Sequence, residues 1–282
     1  MNEPLTLSAL YIYPIKSAGG LSLSASELGP RGLTHDRRWM VVSASGRLVT
    51  QREFPKLRLI RVALERSGLR VEAPELPTLH LPFQPQGARR QADMWGDLMV
   101  GVSVSPEARG WFSDYLGGDF DLLYMPDDVQ RWQPDGRPYR SLLGFADGNP
   151  FNLITEASLA HLNTHLAHSV TAQEFRPNLV VAGDLSAYAE DGWRRIRVGT
   201  VGFEVVESCA RCSIVNVSAD GRMLAEPLRT LARTRMRGGV IPFGQNLVQD
   251  APLDRRSGTL RVGDVLEVLE TGETPNLVYE NS

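Results

Sequence analysis

The sequence has few cysteines and no apolar run long enough to span a bilayer. Its 282 residues include 2 cysteines, too few for the disulfide framework of a small secreted protein. The apolar stretch around Leu153 and Ile154 is far shorter than the ~20 residues that a transmembrane helix needs. Glu3 and Pro4 stand where the basic segment of a secretory signal peptide would lie. We therefore expect a cytoplasmic protein with no membrane association.

An excess of positive charge is also missing. The chain has 30 Lys and Arg against 33 Asp and Glu, which gives a formal net charge of -3. A general nucleic-acid binder normally carries a basic excess, so we expect no nucleic-acid partner. Hydrophobic residues make up 42% and charged residues 22%, the composition of a soluble globular protein that can fill a core.

Short segments rich in β-branched or aromatic residues, separated by turn residues, predict many strands in the first half of the chain. Predicted strands lie at residues 5–15, 39–42, 57–64 and 69–71, with two more in 92–104 that meet at a turn. Ser105 and Pro106 are typical of a helix start, and Gly117 with Gly118 of a helix end, which predicts one helix between them.

Residues 126–150 are polar and lack periodicity, and they are too long for an ordinary connection. We place a domain boundary at the start of this segment, which gives domains 1–125 and 126–282. A helix is predicted from Thr155, with Leu159, Leu162 and Leu166 on one face. Further strands are predicted at 179–182, 196–198, 203–206 and 213–217, a short helix at 226–233, and a closing hairpin of 259–262 with 265–269. This pattern predicts a β-rich α+β fold or a β-barrel.

Cys209 and Cys212 form a C-x-x-C pair. A zinc site would need two more ligands, and the sequence has no second cysteine pair. A thioredoxin-type pair would lie at a strand-to-helix turn, whereas residues 213–217 predict another strand. Two interpretations remain: both cysteines are buried in a core strand, or one thiolate, favoured by the adjacent Arg211, is a soft ligand for a redox metal. The spacing leaves them open.

Other titratable clusters have simpler interpretations. His161, His165 and His168 have the spacing of one helical face, but the Glu of H-E-x-x-H is missing, so we expect a solvated surface. The arginines in residues 229–237 indicate either a solvated face or a site that binds a phosphate or an acidic partner by bidentate contacts. No G-x-G-x-x-G, P-loop or G-x-S-x-G motif is present, which disfavours the common nucleotide-binding folds and the α/β-hydrolases.

A second set of cations is dispersed along the chain, and each member lies beside a turn or a strand end. These cations are Lys16, Arg37 with Arg38, Arg176 and Arg211. Several segments that each offer a cation beside Ser or Asn could together grip an anionic cofactor, because charge-assisted hydrogen bonds are strongest where several converge. The spacing itself does not show that these cations converge, but an anionic cofactor would need Lys16, Arg37 and Arg176 to meet in one cleft, and we predict that they do.

The motifs that contain these residues resemble, in this order, those of the MOSC superfamily, whose members carry or bind the molybdenum cofactor. The matching segments are Tyr13-Pro14-Ile15-Lys16-Ser17, Asp36-Arg37-Arg38-Trp39-Met40, Phe145-Ala146-Asp147-Gly148-Asn149-Pro150-Phe151, Glu156-Ala157-Ser158-Leu159, Phe175-Arg176-Pro177-Asn178, Cys209-Ala210-Arg211-Cys212, Glu226-Pro227-Leu228 and Pro242-Phe243-Gly244-Gln245-Asn246. The resemblance covers nearly the whole chain and implies an N-terminal β-barrel domain followed by a MOSC β-barrel domain with peripheral helices.

Within the superfamily the chain is similar to the amidoxime-reducing component and its bacterial relatives. This resemblance implies a molybdenum–pyranopterin cofactor whose metal is held by the thiolate of Cys212, and reduction of N-hydroxylated compounds such as amidoximes and hydroxylamines. It also implies a set of cofactor contacts. These are Lys16, Ser17, Arg37, Asp147, Gly148, Asn149, Arg176, Asn178, Ala210, Arg211 and Cys212. Asp147 is the candidate proton donor, although it could instead only shape its loop.

Two departures from the family pattern affect the side-chain contacts. Gly148 and Asn149 stand where a relative has hydroxyl residues, and Ala210 stands where a serine is found, so only main-chain contacts would survive there. A second function remains open, in which the chain is a molybdenum-cofactor or sulfur carrier with a persulfide on Cys209 or Cys212. Pyridoxal phosphate is not expected, since the pyridoxal-phosphate domain of a complete cofactor sulfurase is missing.

The sequence has no motif for a redox relay of its own. It lacks the cysteines of an iron–sulfur cluster, a dinucleotide fingerprint and a haem-attachment motif. We therefore expect electrons to come from an external electron-transfer protein, either cytochrome b5-like or a ferredoxin or flavoprotein, and residues 229–237 are the candidate docking site.

Overall fold

The computed structural model describes residues 3–133 and 141–273, and within them the chain is rich in strands. The strands are β1 (Thr6–Ile12), β2 (Leu21–Leu23), β3 (Ala25–Gly29), β4 (Gly32–Leu33), β5 (Trp39–Ser43), β6 (Arg61–Leu64), β7 (Gly68–Glu72), β8 (Leu79–Pro82), β9 (Arg89–Met94), β10 (Asp97–Ser103), β11 (Phe120–Tyr124), β12 (Arg131–Trp132), β13 (Leu142–Leu143), β14 (Phe151–Thr155), β15 (Leu179–Ala182), β16 (Trp193–Val198), β17 (Val201–Ala210), β18 (Pro242–Gln249), β19 (Thr259–Arg261) and β20 (Leu266–Thr271). The helices are α1 (Pro106–Leu116), α2 (Glu156–Asn163), α3 (Ala172–Phe175) and α4 (Leu228–Arg235), and 3-10 helices occupy Pro55–Leu59, Ala189–Gly192, Ser213–Asn216 and Leu253–Arg255. The predicted β-rich α+β fold is confirmed. No helix in the described part of the chain is both long and apolar enough to cross a membrane.

The largest sheet has eight strands in the order β2-β1-β15-β14-β18-β17-β16-β20. Its strands are antiparallel except for β14 and β15, which run parallel. All five residues of β14 are buried, as expected for a strand covered on both faces. Strands β1 and β2, from the beginning of the chain, thus lie in a sheet whose other strands all follow residue 150. This pairing places the end of β1 beside the start of β15, with Leu10 opposite Leu179.

The segment from β5 to β11 forms a second structural layer. Its four-stranded sheet has the order β5-β11-β10-β9, and β6, β7 and β8 form a separate three-stranded sheet. Helix α1 packs on this layer and contributes the buried side chains Trp111 and Phe112. The predicted caps of α1 are confirmed: the Ser105 hydroxyl accepts a hydrogen bond from the Ala108 amide, and Gly117 ends the helix with a φ of 78°.

Two predicted elements are wrong because long-range partners decide them. Residues 213–217, predicted as a strand, instead include the 3-10 helix Ser213–Asn216. The Oδ1 atom of Asn216 accepts a hydrogen bond from the Leu228 amide at 2.9 Å, so this turn caps the start of α4. The predicted hairpin of 259–262 with 265–269 does not form, because β19 pairs with β3 and β20 pairs with β16. Residues 5–7 hydrogen-bond to 263–266 in its place.

Other predictions are right in kind and shifted in extent. Residues 57–64 form the end of a 3-10 helix that starts with Pro55, followed by β6. Residues 126–150 contain the short pair β12 and β13, and residues 134–140 of this segment lie outside the described residues. Helix α2 ends at Asn163, so His165 and His168 lie beyond it and share no helical face with His161. All three histidines are exposed, which confirms the expected solvated surface.

Candidate functional site

One pocket, of about 180 Å³, brings together every candidate cofactor contact named from the sequence. Lys16 and Ser17 follow β1, and Arg176 and Asn178 precede β15. Residues 147–149 precede β14, and Ala210, Arg211 and Cys212 end or follow β17. The predicted convergence of Lys16, Arg37 and Arg176 in one cleft is therefore confirmed.

Backbone conformation sets several of these residues apart. Ser17, Arg37, Trp95 and Arg176 line the pocket and have positive φ values of 67°, 47°, 62° and 53°. A left-handed backbone at a residue other than glycine is uncommon, costs of order 1 kcal/mol and is concentrated at functional sites. The surrounding fold therefore holds the pocket wall in a locally unfavourable conformation.

Lys16 and Asp147 form an ion pair at one side of the pocket. The Lys16 ammonium donates to the Asp147 Oδ1 atom at 2.7 Å and to the Phe145 carbonyl oxygen at 2.8 Å. Burial lowers the pKa of Lys16, although Asp147 opposes this shift. Desolvation raises the pKa of Asp147, but the Lys16 ammonium and a hydrogen bond from the Trp95 indole outweigh it and hold that pKa well below its usual range. Asp147 is therefore an ionised carboxylate at neutral pH.

Arg37 and Arg176, which also line the pocket, pack on the buried ring of Tyr13. The Arg37 and Arg176 guanidinium carbons lie 4.4 and 4.2 Å from the centre of this ring. Arg37 donates to Asp36 Oδ2 at 2.6 Å, to Asn178 Oδ1 at 3.1 Å and to the Arg176 carbonyl oxygen at 3.0 Å. Burial and the neighbouring Arg37 lower the pKa of Arg176 to about 10. Both guanidinium groups are therefore fixed in orientation, and Arg176 remains charged at neutral pH.

Arg211 is clamped by backbone oxygens. Its guanidinium donates to the carbonyl oxygens of Phe243 and Phe175 at 2.7 Å each, and to Asn152 Oδ1 at 2.9 Å. Gly244 has a φ of 76°, and a Cβ atom there would lie 3.2 Å from Arg211 Nη2 and 2.5 Å from the Leu153 carbonyl oxygen. Glycine at this position thus allows the close approach of β18 to the guanidinium.

The two cysteines differ in accessibility. Both are free thiols; Cys209 is partly buried and Cys212 is exposed in the pocket. Burial raises the pKa of the Cys209 thiol, and the opposing effect of Arg211 is smaller. Arg211, which the sequence analysis expected to favour a thiolate, donates its described hydrogen bonds to Phe243, Phe175 and Asn152. Instead, Arg52 Nη2 lies 3.3 Å from the Cys212 Sγ atom.

The loop of residues 147–149 is tied to the rest of the pocket by amide side chains. Gln133 Nε2 donates to the Gly148 carbonyl oxygen at 2.8 Å and to Asn149 Oδ1 at 2.5 Å. Asn149 Nδ2 in turn donates to Glu207 at 2.5 Å. Asn149 therefore braces its own loop through side-chain bonds at both ends of its amide.

Thr50, Trp95 and Asn152 also line the pocket, and Arg52 contacts Cys212; the sequence analysis named none of these four residues. Their partners are distant in sequence: Trp95 bonds to Asp147 across 52 positions, and Arg52 contacts Cys212 across 160. The position of Trp95 next to Gly96, in the turn between β9 and β10, could have drawn attention, because a large aromatic residue is unusual there.

Two interpretations weighed from the sequence remain, a metal site formed by several side chains and a docking site at residues 229–237. In residues 3–133 and 141–273, no group of three or more His, Cys, Asp or Glu side chains is arranged to hold a metal ion. In the arginine run of 229–237, Arg235 is buried and donates to Asp191 at 2.5 Å. It is therefore a structural residue and is not available to a partner, whereas Arg229, Arg233 and Arg237 are exposed.

Comparison with known proteins agrees with this arrangement. The family model described as MOSC N-terminal beta barrel domain matches residues 5–119, and the MOSC domain model matches residues 141–267. Mitochondrial amidoxime reducing component 2 of Rattus norvegicus is 34% identical over 92% of this chain and 82% of its own length, and mitochondrial amidoxime-reducing component 1 of Mus musculus is 33% identical over 94% and 82%. A molybdenum cofactor sulfurase of Oryza sativa subsp. japonica is 32% identical over 84% of this chain, which spans 32% of that protein. The chain therefore belongs to the MOSC family, with a MOSC N-terminal beta barrel domain followed by a MOSC domain.

Proposed function

We propose that this chain binds a molybdenum–pyranopterin cofactor in the pocket and reduces N-hydroxylated compounds there. The observation that carries the proposal is the exposed Cys212 thiol in a pocket whose lining includes Lys16, Arg37, Arg176 and Arg211. The relatives support it, because the amidoxime reducing components are named for this reaction and the sulfurase for this cofactor.

The donor set of the pocket fits such a cofactor. A pyranopterin carries a phosphate, which pairs well with guanidinium and ammonium groups, and its molybdenum accepts a soft thiolate. In the described lining the acidic side chains are Asp147 and Glu174. Glu174 is buried and paired with Arg58 at 2.7 Å, so the cations of the pocket outnumber the carboxylates that face them. The balance of charge therefore favours an anionic ligand.

Each residue has a distinct role in this proposal. The Cys212 thiolate would hold the metal, and the four cations would hold the phosphate and the pterin. Gly148 and Ala210 would contribute main-chain groups, since glycine and alanine offer no side-chain donor, and Ser17 would contribute its hydroxyl or its main-chain groups. Asn178 accepts a hydrogen bond from Arg37 and another from the Asn152 amide, so its part is to orient that arginine.

Reduction of an N-hydroxylated compound needs two electrons, which an external donor would supply. An amidoxime takes up two electrons and two protons and gives an amidine and water. The bound cofactor supplies the electron-transfer chemistry, and the protein binds, orients and insulates. Asp147 holds the Lys16 ammonium in place, and because its pKa is lowered it would first have to take up a proton before it could act as the proton donor. A cytochrome b5-like, ferredoxin or flavin protein would return the electrons, because the sequence offers no redox relay of its own.

The sulfurase relative and the exposed thiol favour a second function, in which Cys212 carries a persulfide or hands over the cofactor. Metal analysis separates the two. Stoichiometric molybdenum with pterin supports the reductase, whereas cyanide-labile sulfur without metal supports the carrier.

The decisive experiment measures the reduction of benzamidoxime and of a hydroxylamine by cofactor-loaded protein with a reduced viologen as artificial donor. The matched controls are Cys212→Ser and Cys209→Ser, which remove one sulfur atom each, three positions apart. The proposal expects activity and molybdenum in the wild type and in Cys209→Ser, and neither in Cys212→Ser. Molybdenum-loaded wild-type protein that reduces neither compound would refute it.

A further inference from the structure

Trp95 is a large aromatic side chain that projects from a hairpin turn yet is held in place. It follows β9, has a φ of 62° and is 57% exposed. Its indole Nε1 donates to Asp147 Oδ1 at 3.1 Å, and the Arg52 guanidinium carbon lies 4.7 Å from the ring centre. The ring is thus fixed at one edge and across one face. An exposed aromatic gains little from core burial, so packing does not explain why the ring is fixed.

A side cavity of about 240 Å³ lies beside this ring. It shares Thr50 and Trp95 with the pocket at Cys212. The rest of its described lining is Leu48, Gly96 and the charged residues Arg47, Arg52, Glu53 and Asp93. Arg52 contacts Cys212 Sγ at 3.3 Å, so the width of one guanidinium separates the side cavity from the thiol. An apolar cavity of about 150 Å³ holds benzene. The side cavity therefore has room for a six-membered ring that carries a functional group.

The charge of Arg52 is not neutralised by an ion pair in the described part of the chain. The nearby acid Glu53 is paired with Arg47 at 2.6 Å. Arg52 therefore keeps its guanidinium on the Trp95 ring, where a cation and an aromatic face attract each other. The Arg52 guanidinium covers one face of the Trp95 ring. A ligand can therefore stack only on the part of the ring that Arg52 leaves uncovered.

We propose that Trp95 is a stacking platform that selects planar aromatic N-hydroxylated substrates, and that Arg52 is the residue that positions its ring. This inference rests on the proposed function. The ring of the substrate lies in the side cavity against Trp95, and its N–O group extends past Arg52 towards Cys212. An aliphatic amidoxime has no ring to stack and gains nothing from the platform.

The test compares benzamidoxime with acetamidoxime in the cofactor-loaded wild type, Trp95→Leu and Trp95→Phe. Trp95→Leu should raise KM for benzamidoxime about tenfold, since aromatic stacking and the burial that accompanies it are lost. Because Trp95 also lines the pocket and donates to Asp147, the readout is the ratio of the KM for benzamidoxime to the KM for acetamidoxime, which should rise about tenfold relative to wild type. Trp95→Phe keeps a ring and should recover most of the benzamidoxime affinity. Leu98→Ala is the matched control, because Leu98 lies on the same hairpin, is 64% exposed and is absent from the described lining of both cavities.

Arg52 is tested through its dependence on the ring. Arg52→Gln should raise KM for benzamidoxime about threefold, the loss of one exposed cation–aromatic contact. Added to Trp95→Leu it should have no further effect on that KM, because Arg52 acts through Trp95. Full additivity of the two changes would overturn its role as a positioning residue.

A binding measurement without reductant separates this inference from the proposed function. Titration calorimetry of benzamidoxime with each loaded protein should show the same tenfold weakening in Trp95→Leu. If the wild type binds benzamidoxime in this way but reduces neither compound, the platform stands and the proposed function fails. Equal affinity of the wild type and Trp95→Leu, or equal KM changes for both compounds, would overturn the platform.

Discussion

The ion pair between Lys16 and Asp147 joins segments that are 131 positions apart, and we expect its removal to weaken the fold measurably. The Lys16 side chain is 8% exposed and that of Asp147 is 62% exposed. Breaking a fully buried pair costs about 3–5 kcal/mol, and an exposed pair contributes about 0–1 kcal/mol. With one partner exposed and screened by solvent, Asp147→Asn should lower the free energy of unfolding by about 1–2 kcal/mol. The bond from Lys16 to the Phe145 carbonyl oxygen remains.

Urea unfolding of the wild type, Asp147→Asn, Lys16→Met and the double variant measures the interaction itself. Lys16→Met should cost less than Asp147→Asn, because water can solvate the exposed carboxylate that is left behind. The double variant should be more stable than the sum of the single changes predicts, by about 1–2 kcal/mol. Additivity within about 0.5 kcal/mol would refute the reasoning, because it would mean that the two groups do not stabilise each other.

The pH dependence gives an independent test of the same pair. The pKa of Asp147 lies below its unfolded value of about 3.9. A depressed folded pKa contributes stability that is present above the unfolded pKa and is lost as the pH falls through the folded one. The difference in stability between the wild type and Asp147→Asn should therefore be level from about pH 5 to 8 and shrink below about pH 4. A difference that grows as the pH falls would contradict the sign of the shift.

Three further predictions follow from the site and its surroundings. Cys212→Ser should lose molybdenum while Cys209→Ser retains it; equal losses, measured by metal analysis of the purified proteins, would contradict a single ligand. Arg235→Gln should lower the free energy of unfolding by about 2–3 kcal/mol, because it breaks a largely buried pair with Asp191. Arg233→Gln, on the exposed side of the same helix, should change it by less than about 0.5 kcal/mol, and equal effects in denaturant titrations would refute this assignment. Turnover with NADH should require a reductase and a carrier protein and should fall as salt rises; full activity with NADH alone would exclude the partner, and salt-insensitive turnover would exclude a charge-steered dock.

Local sequence was sufficient where local contacts decide the structure. Helix α1 begins at Ser105 and Pro106 and ends at Gly117 as expected, because its caps lie within its own segment. The C-x-x-C pair and the cations beside turns could be found by inspection, and the family resemblance gave their order along the chain. The resemblance, rather than any spacing, singled out Cys212.

Local sequence patterns did not predict which segments pair with partners that are distant along the chain. The segment after Cys212 has the β-branched residues of a strand, but it turns as a 3-10 helix because Asn216 caps α4. Gly263 and Asp264 are typical of a tight hairpin, and the chain does turn there, but the two arms pair with other strands: β19 with β3 and β20 with β16. The contacts of Arg52 with Trp95 and Cys212 are likewise made only by the folded chain.

The way in which the cations are held explains how a chain of net negative charge can form a positively charged pocket. Arg176 donates to the Ala18 carbonyl oxygen, and Arg211 to the carbonyl oxygens of Phe243 and Phe175. A carbonyl oxygen fixes the direction of a guanidinium without cancelling its charge, whereas a carboxylate cancels it. Apart from the carboxylates paired with Lys16 and Arg37, the described bonds of these cations therefore leave the pocket positive. The backbone oriented by the fold, rather than the overall composition, makes the site fit for an anionic cofactor.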